Sequence, residues 1–165
     1  MRSVEPLRFR SSDRRFSLYL PARGVVALLA HVRQAGRLET GGILIGKYTE
    51  DLAEATVAEV LGPPPDSRAW GTSFLRGVHG LVRELRTLWG SAVRTYYLGE
   101  WHFHPYASSE PSPEDQRQMF SIAQDSKFRC PEAILLIIGG DPATDWEVTA
   151  HVFIRAGHVV RLERG

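Results

Sequence analysis

Apolar side chains repeat along the chain with two different periods, and each period predicts one kind of element. From Pro21 to about Gln34 they recur every three or four residues, which is typical of a helix with one buried face. The same spacing predicts helices from Ser73 to about Trp89 and from Pro113 to about Gln124. A serine, Ser73 or Ser112, stands where each of these last two helices should be capped.

Shorter runs that are rich in β-branched and aromatic residues predict strands. Leu7–Arg10 predicts a short edge strand within a charged segment, residues 1–14, that we expect to be loosely held. Helices and strands together predict the α/β class, with a mixed, mostly antiparallel sheet flanked by about three helices. The main predicted strands are Phe16–Leu20, Ile43–Tyr48, Ala53–Leu61, Thr95–His104, Glu132–Ile138, Trp146–Arg155 and His158–Glu163.

Composition indicates one globular domain over residues 1–165. Hydrophobic residues make up 43% and charged residues 24%, with a net charge of +1, and the arginines are scattered, so no nucleic-acid partner is predicted. No run approaches the roughly 20 apolar residues of a membrane span, and no signal-peptide core is evident. The single cysteine, Cys130, excludes an intrachain disulfide framework, so we expect a cytoplasmic protein that does not bind membranes.

Candidate chemistry is concentrated at the end of one predicted strand and the start of the next helix. His102 and His104 are two positions apart on the strand, so their side chains share one face. Ser112 and Asp115 follow a turn-forming loop and have the spacing of a helix capping box, which alone would explain both residues. The same helix start can also hold Asp115 rigidly towards the two histidines.

Two imidazoles and one carboxylate leave an open position on a tetrahedral zinc ion, as in catalytic zinc sites. Zinc lowers the pKa of a bound water from ~15.7 to about 7 and polarises a carbonyl group. The set therefore predicts one catalytic Zn²⁺ ion and a hydrolase. Glu100 lies two residues before His102 and faces the same side, so spacing alone leaves it open as a ligand or a base.

In these motifs the chain resembles the JAMM family of zinc metalloproteases, also called the MPN-plus or JAB domain. The hallmark of that family is an upstream Glu, then His-x-His-Pro, six residues and Ser-x-x-Asp. Here His102–Pro105, the six residues Tyr106–Pro111 and Ser112–Asp115 follow without a gap, and Leu38–Gly46 looks like the Glu-bearing strand. The resemblance extends from about Phe16 to Val160 and implies a single JAB/MPN-type domain.

The resemblance also implies a role for each candidate residue. It implies three zinc ligands, His102, His104 and Asp115. Glu39 would hold the attacking water and pass its proton to the leaving amine, and Ser112 would donate a hydrogen bond to the oxyanion. Glu39 then ranks ahead of Glu100, which is expected to accept an N–H from a ligand imidazole.

Glu-Thr-Gly-Gly-Ile-Leu and Gly-Glu-Trp-His-Phe-His-Pro look especially like the compact bacterial JAB proteins encoded beside ubiquitin-activating and conjugating-type enzymes. The resemblance implies an isopeptidase that cleaves the bond after the C-terminus of a ubiquitin-like or otherwise conjugated protein. Its preferred substrate is the conjugated cyclic-nucleotide synthase of a CBASS antiphage operon. The alternatives are a peptidase of another bacterial ubiquitin-like or sulfur-carrier pathway, and a non-catalytic MPN-type scaffold. Because no long insertion is evident, substrate recognition is assigned to two short loops, Gly62–Thr72, which carries Trp70, and Tyr106–Pro111.

The remaining reactive residues predict no second site. A zinc deaminase needs His-x-Glu with Pro-Cys-x-x-Cys, which one cysteine cannot supply. Cys130 precedes a predicted buried strand, where a structural thiol is the ordinary case. We interpret the other histidines as structural or surface residues: His31, His79, His151 and His158.

Overall fold

The strands form a closed barrel in a computed structural model that describes residues 4–69, 74–75, 83, 86–87, 90 and 94–165. In chain order the strands are β1 (Leu7–Arg10), β2 (Ser17–Leu20), β3 (Thr40–Tyr48), β4 (Glu54–Leu61), β5 (Arg68–Ala69), β6 (Phe74–Leu75), β7 (Tyr96–Pro105), β8 (Glu132–Asp141), β9 (Asp145–Ile154) and β10 (His158–Arg164). Eight of them follow the order β1-β10-β9-β8-β7-β3-β4-β2, while β5 and β6 pair separately. Only β2 with β4 and β7 with β8 are parallel among the barrel pairs, so the mixed and mostly antiparallel character of the sheet is confirmed.

Closure of the barrel corrects the predicted edge strand. The first strand, β1, pairs with β2 on one side and with β10 on the other. Leu7–Arg10 is therefore not an edge strand. Leu7 and Phe9 are buried while the two arginines between and after them are exposed, and this period of two is what a barrel strand with one face inward requires.

Two helices are complete within the described residues, α1 (Ala22–Ala35) and α2 (Pro113–Gln124). Both agree with the predicted segments to within one or two residues, because a long apolar stripe is the strongest sequence signal for a helix. No helix in the described part of the chain combines the length and apolar character that a bilayer crossing requires.

The predicted third helix is only partly described. Its predicted start, Ser73, and end, Trp89, lie outside the described residues, as do Trp70 and His79. Phe74 and Leu75 form β6, so a helix beginning at Ser73 is wrong. Further along, 83, 86 and 87 are helical, and the hydroxyl of residue 87 donates to the carbonyl of residue 83 at 3.0 Å.

The central strands are buried on both faces, so α1 and α2 pack against two different apolar clusters. On β8, Ile134 and Leu136 belong to the cluster that contains Val25 and Leu28 of α1. Leu135 and its neighbours on the opposite face belong to the cluster that contains α2. The apolar run of β8 is thus explained by packing on both sides. α2 packs on β8 and β9, and its side chains Asp115 and Gln118 reach polar residues of β7.

Candidate active site

A bulge in β7 sets the direction in which its polar side chains point. The register between β7 and β3 shifts between Leu44 and Ile45 of β3. Leu44 is paired there with Gly99 of β7, whose φ is 152°. Glycine adopts this conformation without the steric cost that a side chain would add. After the bulge, Trp101 and Phe103 face the α1 core, while Glu100, His102 and His104 face α2.

Glu39 reaches the same region because β3 runs antiparallel to β7. Thr40 is paired with Phe103 and Gly41 with His102. Glu39 directly precedes Thr40 and therefore lies level with His104 at the end of β7. The antiparallel pairing is what joins two sequence motifs that are far apart in the chain.

The first turn of α2 carries Ser112 and Asp115 in a capping box. The Oγ of Ser112 accepts a hydrogen bond from the backbone N–H of Asp115 at 3.1 Å, and the N–H of Ser112 donates to Asp115 Oδ2 at 2.7 Å. Capping explains the Ser-x-x-Asp spacing, as predicted, but Asp115 also has contacts outside the helix. Its carboxylate is buried and points at both histidines of β7.

His102, His104 and Asp115 form the kind of donor cluster that a metal ion needs. Each offers one ligand atom, and these atoms lie within 4.8 Å of one another. His102 Nδ1 is 2.6 Å from Asp115 Oδ1, and His104 Nε2 is 3.3 Å from Asp115 Oδ2. The other ring nitrogen of each histidine is anchored, at 3.3 Å from Glu100 Oε2 for His102 and at 3.1 Å from the carbonyl oxygen of Ser108 for His104. Oriented imidazoles beside a carboxylate fit a metal ion with an open position.

The pKa values of His102, His104 and Asp115 depend on one another. Burial opposes protonation of His102, but hydrogen bonds with Asp115 and Glu100 outweigh it and raise its pKa to about 9. Burial also opposes protonation of His104, and the contacts with Asp115 again raise its pKa. Burial alone would raise the pKa of Asp115, yet the two histidines hold it well below its usual range. A metal ion would take the place of the protons shared within this cluster.

Glu100 contacts the ring nitrogen of His102 that does not face Asp115. Its side chain is fully buried and accepts hydrogen bonds from the Tyr97 hydroxyl at 3.3 Å and from Gln118 Nε2 at 3.1 Å, in addition to His102. Gln118 lies on α2, so this carboxylate also links the helix to β7. Nothing in the sequence spacing identifies Gln118 or Tyr97, because their role depends on how α2 packs and on the bulge at Gly99.

The cluster opens into a pocket of about 480 Å³. Glu39, the two histidines, Ser112 and Asp115 all line it. The other lining residues are Pro105 at the end of β7, loop residues Ala107, Ser108 and Glu110, and helix residues Pro113, Glu114, Arg117 and Gln118. Glu39 is partly buried, and this burial raises its pKa, although the nearby His104 partly offsets the effect. A carboxylate in such surroundings is suited to accept and return a proton.

Within the described part of the chain, the residues that were predicted to be structural or surface residues lie outside the cluster of candidate metal ligands. Cys130 is buried, and burial raises the pKa of its thiol to about 12, so it has little thiolate character. His31 stacks on Trp101 with ring centroids 5.8 Å apart. His151 is buried on β9 and His158 is exposed at the start of β10.

Comparisons with known proteins show which family the chain resembles. A family described as prokaryotic homologs of the JAB domain matches residues 21–151. A CD-NTase/cGAS isopeptidase of Enterobacter hormaechei subsp. hoffmannii is 40% identical over 97% of this chain and 88% of its own length. A probable metalloprotease of Sinorhizobium fredii is 28% identical over 76% of this chain and 77% of its own length. The solution structure of a protein from Desulfitobacterium hafniense shares the fold, with a TM-score of 0.58 and 23% identity over 87% of this chain and 86% of the other.

Proposed function

The chain belongs to the prokaryotic homologs of the JAB domain, and from this membership we propose that it is a zinc-dependent isopeptidase that removes a conjugated protein from its target. The observation that carries the proposal is the cluster of His102, His104 and Asp115, whose ligand atoms lie within 4.8 Å of one another in a pocket that Glu39 also lines. The bond to be cleaved is the amide after the C-terminus of the conjugated protein.

Three residues of the cluster would hold the ion: His102, His104 and Asp115. When bound, zinc would lower the pKa of a coordinated water to about 7 and polarise the amide carbonyl of the substrate. Two imidazoles and a carboxylate are a donor set that zinc accepts with one position left open. Glu100 and the Ser108 carbonyl would keep the imidazoles oriented through the nitrogens that do not face Asp115.

Glu39 would accept a proton from the attacking water and deliver it to the nitrogen of the leaving amine. Its raised pKa, which results from burial, favours this exchange near neutral pH. Ser112 would donate its hydroxyl hydrogen to the oxyanion that develops on the substrate carbonyl. Its Oγ serves only as an acceptor in the helix cap, so the hydroxyl hydrogen is available for this second role.

The proposed substrate is a CD-NTase, a cyclic-nucleotide synthase, that has been conjugated through its C-terminus during antiphage defence. Support comes from the Enterobacter relative, which is named a CD-NTase/cGAS isopeptidase and is 40% identical over almost the whole chain. Ubiquitin-activating and conjugating-type enzymes of the same pathway would make the conjugate in the cytoplasm. Another bacterial ubiquitin-like or sulfur-carrier protein is the alternative substrate.

Contact with the substrate is assigned to the loop between β7 and α2. Three of its residues, Ala107, Ser108 and Glu110, line the pocket, and Tyr106, directly after the end of β7, has 62% of its surface exposed. The other predicted loop, Gly62–Thr72, has its last residues outside the described part of the chain. Its contribution stays a prediction.

The test is cleavage of a defined conjugate. A CD-NTase joined through its C-terminal carboxyl to a lysine of a second protein is incubated with the zinc-loaded protein, and free CD-NTase is followed by gel and mass. Glu39→Gln should lower kcat by about 10²- to 10⁴-fold, because the proton carrier is lost. Glu59→Gln is the matched control, since Glu59 is exposed on β4 away from the pocket.

Two results separate the possible failures. Cleavage that persists with a chelator and with Glu39→Gln contradicts the proposed mechanism. Metal binding without cleavage of the CD-NTase conjugate, combined with cleavage of a ubiquitin-like conjugate, keeps the mechanism and assigns the chain to another pathway.

A further inference from the structure

The loop between the two ligand-bearing elements, Tyr106–Pro111, fixes the orientation of His104. The Ser108 carbonyl accepts a hydrogen bond from His104 Nδ1 at 3.1 Å, and the Ala107 N–H donates to the His104 carbonyl at 3.3 Å. The Ser108 carbonyl therefore favours the ring orientation in which Nε2 of His104 faces Asp115.

This loop is held from β9, a strand that carries none of the candidate catalytic residues. The Thr149 hydroxyl donates to the Ser109 carbonyl at 2.5 Å, and the Ser109 N–H donates to Glu147 Oε1 at 3.1 Å. Thr149 and Glu147 are two positions apart on one strand and share a face. They therefore engage both backbone polar groups of the residue that follows Ser108.

Burial makes the threonine contact the more important of the two. Ser109 is 1% exposed and Thr149 is 8% exposed, whereas Glu147 is exposed. Loss of the Thr149 hydroxyl would leave a buried carbonyl without that donor, and buried groups that lose a partner are costly. The loop would then be expected to shift and to carry Ser108 with it.

The end of β8 fixes the loop from a second side. The Gly140 N–H donates to the Ala107 carbonyl at 2.9 Å, and the Tyr106 N–H donates to the Gly140 carbonyl at 3.0 Å. A side chain at Gly139 would meet the Ala107 carbonyl oxygen at 2.5 Å, so the close approach depends on glycine. Backbone contacts hold the loop before Ser108, and the β9 side chains hold it after Ser108.

We propose that Thr149 is a positioning residue for His104, with Glu147 in a lesser supporting role, and that both act through Ser109 and the Ser108 carbonyl. The inference rests on the proposed function, because it takes His104 as a metal ligand. Outer partners of metal-bound histidines typically contribute 10- to 100-fold in metal affinity or activity. Neither residue can be found from the sequence motif, because β9 approaches the loop only in the folded barrel.

The experiment compares Thr149→Val, which keeps the shape and removes the hydroxyl, with Thr149→Ser, which keeps the hydroxyl. Zn²⁺ affinity is measured by competition with a chromophoric chelator, and the absorption spectrum is recorded after loading with Co²⁺. Thr149→Val should bind Zn²⁺ about 10- to 100-fold more weakly, change the Co²⁺ spectrum and lower kcat with little change in KM. Thr149→Ser should keep the Zn²⁺ affinity, the Co²⁺ spectrum and kcat close to those of the wild type.

Thr95→Val is the matched control, because Thr95 is also 8% exposed but lies before β7, away from the loop. Wild-type Zn²⁺ affinity and an unchanged Co²⁺ spectrum in Thr149→Val would overturn the inference. If Thr149→Val does not fold, Glu147→Ala at the exposed end of the contact provides the second test. It should weaken Zn²⁺ binding less than tenfold but measurably, and unchanged affinity would count against the proposal. Absence of conjugate cleavage in a wild-type protein that binds Zn²⁺ would refute the proposed function alone.

Discussion

Two glutamates compete for the role of the proton carrier, and their surroundings distinguish them. Glu100 is fully buried and accepts hydrogen bonds from Tyr97, Gln118 and His102. Glu39 is partly exposed and lines the pocket. A group that must exchange protons with water and with a leaving amine needs access to both. This contrast favours Glu39 as the base, and sequence spacing alone could not supply it.

The residue on which the geometry of β7 depends is Gly99. With φ at 152° and the Ile134 backbone where a Cβ would stand, an alanine there would be strained both by its conformation and by collision. Gly99→Ala should therefore cost more than the roughly 1–3 kcal/mol of an unfavourable backbone conformation alone. Urea unfolding measures the difference in free energy of unfolding.

Gly36→Ala is the control for that experiment. Gly36 ends α1 with φ at 66°, but no other atom lies within 4 Å of a Cβ built on it. Its substitution should cost only the conformational part, about 1–3 kcal/mol. Equal losses in the two variants would show that the Ile134 collision is relieved cheaply and that the bulge tolerates a side chain.

At the scale of elements, local signals predicted the pieces that carry most of the candidate site. α2 was predictable because Ser112, Pro113 and Asp115 form a helix start with its own hydrogen bonds. The end of β8 was not predictable in this way, because Gly139 and Gly140 follow its apolar run and the predicted strand ends before them, at Ile138. They continue the strand because they pair with His104 and Pro105 of β7 as well as with β9, and the β7 partners lie far away in the sequence.

Ser112, at the start of α2, is proposed to act both as a helix cap and as a hydrogen-bond donor to the oxyanion. Ser112→Ala removes the helix cap and should lower the free energy of unfolding by about 1 kcal/mol. It should also lower kcat by roughly 10²- to 10³-fold if the hydroxyl donates to the oxyanion. Ser112→Thr keeps the hydroxyl and should retain most of both. A Ser112→Ala protein that loses stability but keeps its kcat would limit the residue to capping; denaturant unfolding and conjugate cleavage measure the two effects.

At the scale of the whole molecule, the closed barrel is the feature that sequence reasoning missed. Leu7–Arg10 is four residues long and half of it is charged, so nothing local distinguishes a closing strand from an edge strand. Its partners, β2 and β10, come from near the two ends of the chain. The pairing of β1 with β10 spans almost the whole chain and depends on the complete fold, whereas the approach of Glu39 to His102 and His104 was expected from the resemblance of two motifs.

Barrel closure gives a prediction about how the N-terminal strand stabilises the fold. Phe9 is 2% exposed and belongs to the same apolar cluster as Trp101 and Leu136, which pack beneath the candidate site. Phe9→Ala should therefore destabilise the protein by about 3–5 kcal/mol, as large-to-small changes in a core do. Arg10→Ala, on the exposed face of the same strand, should stay within about 0.5 kcal/mol of the wild type. Denaturant unfolding monitored by tryptophan fluorescence compares the two. A loss below about 1 kcal/mol for Phe9→Ala would mean that β1 lies on a barrel that is already stable without it, because a strand that closes the core cannot lose its largest buried side chain at so small a cost.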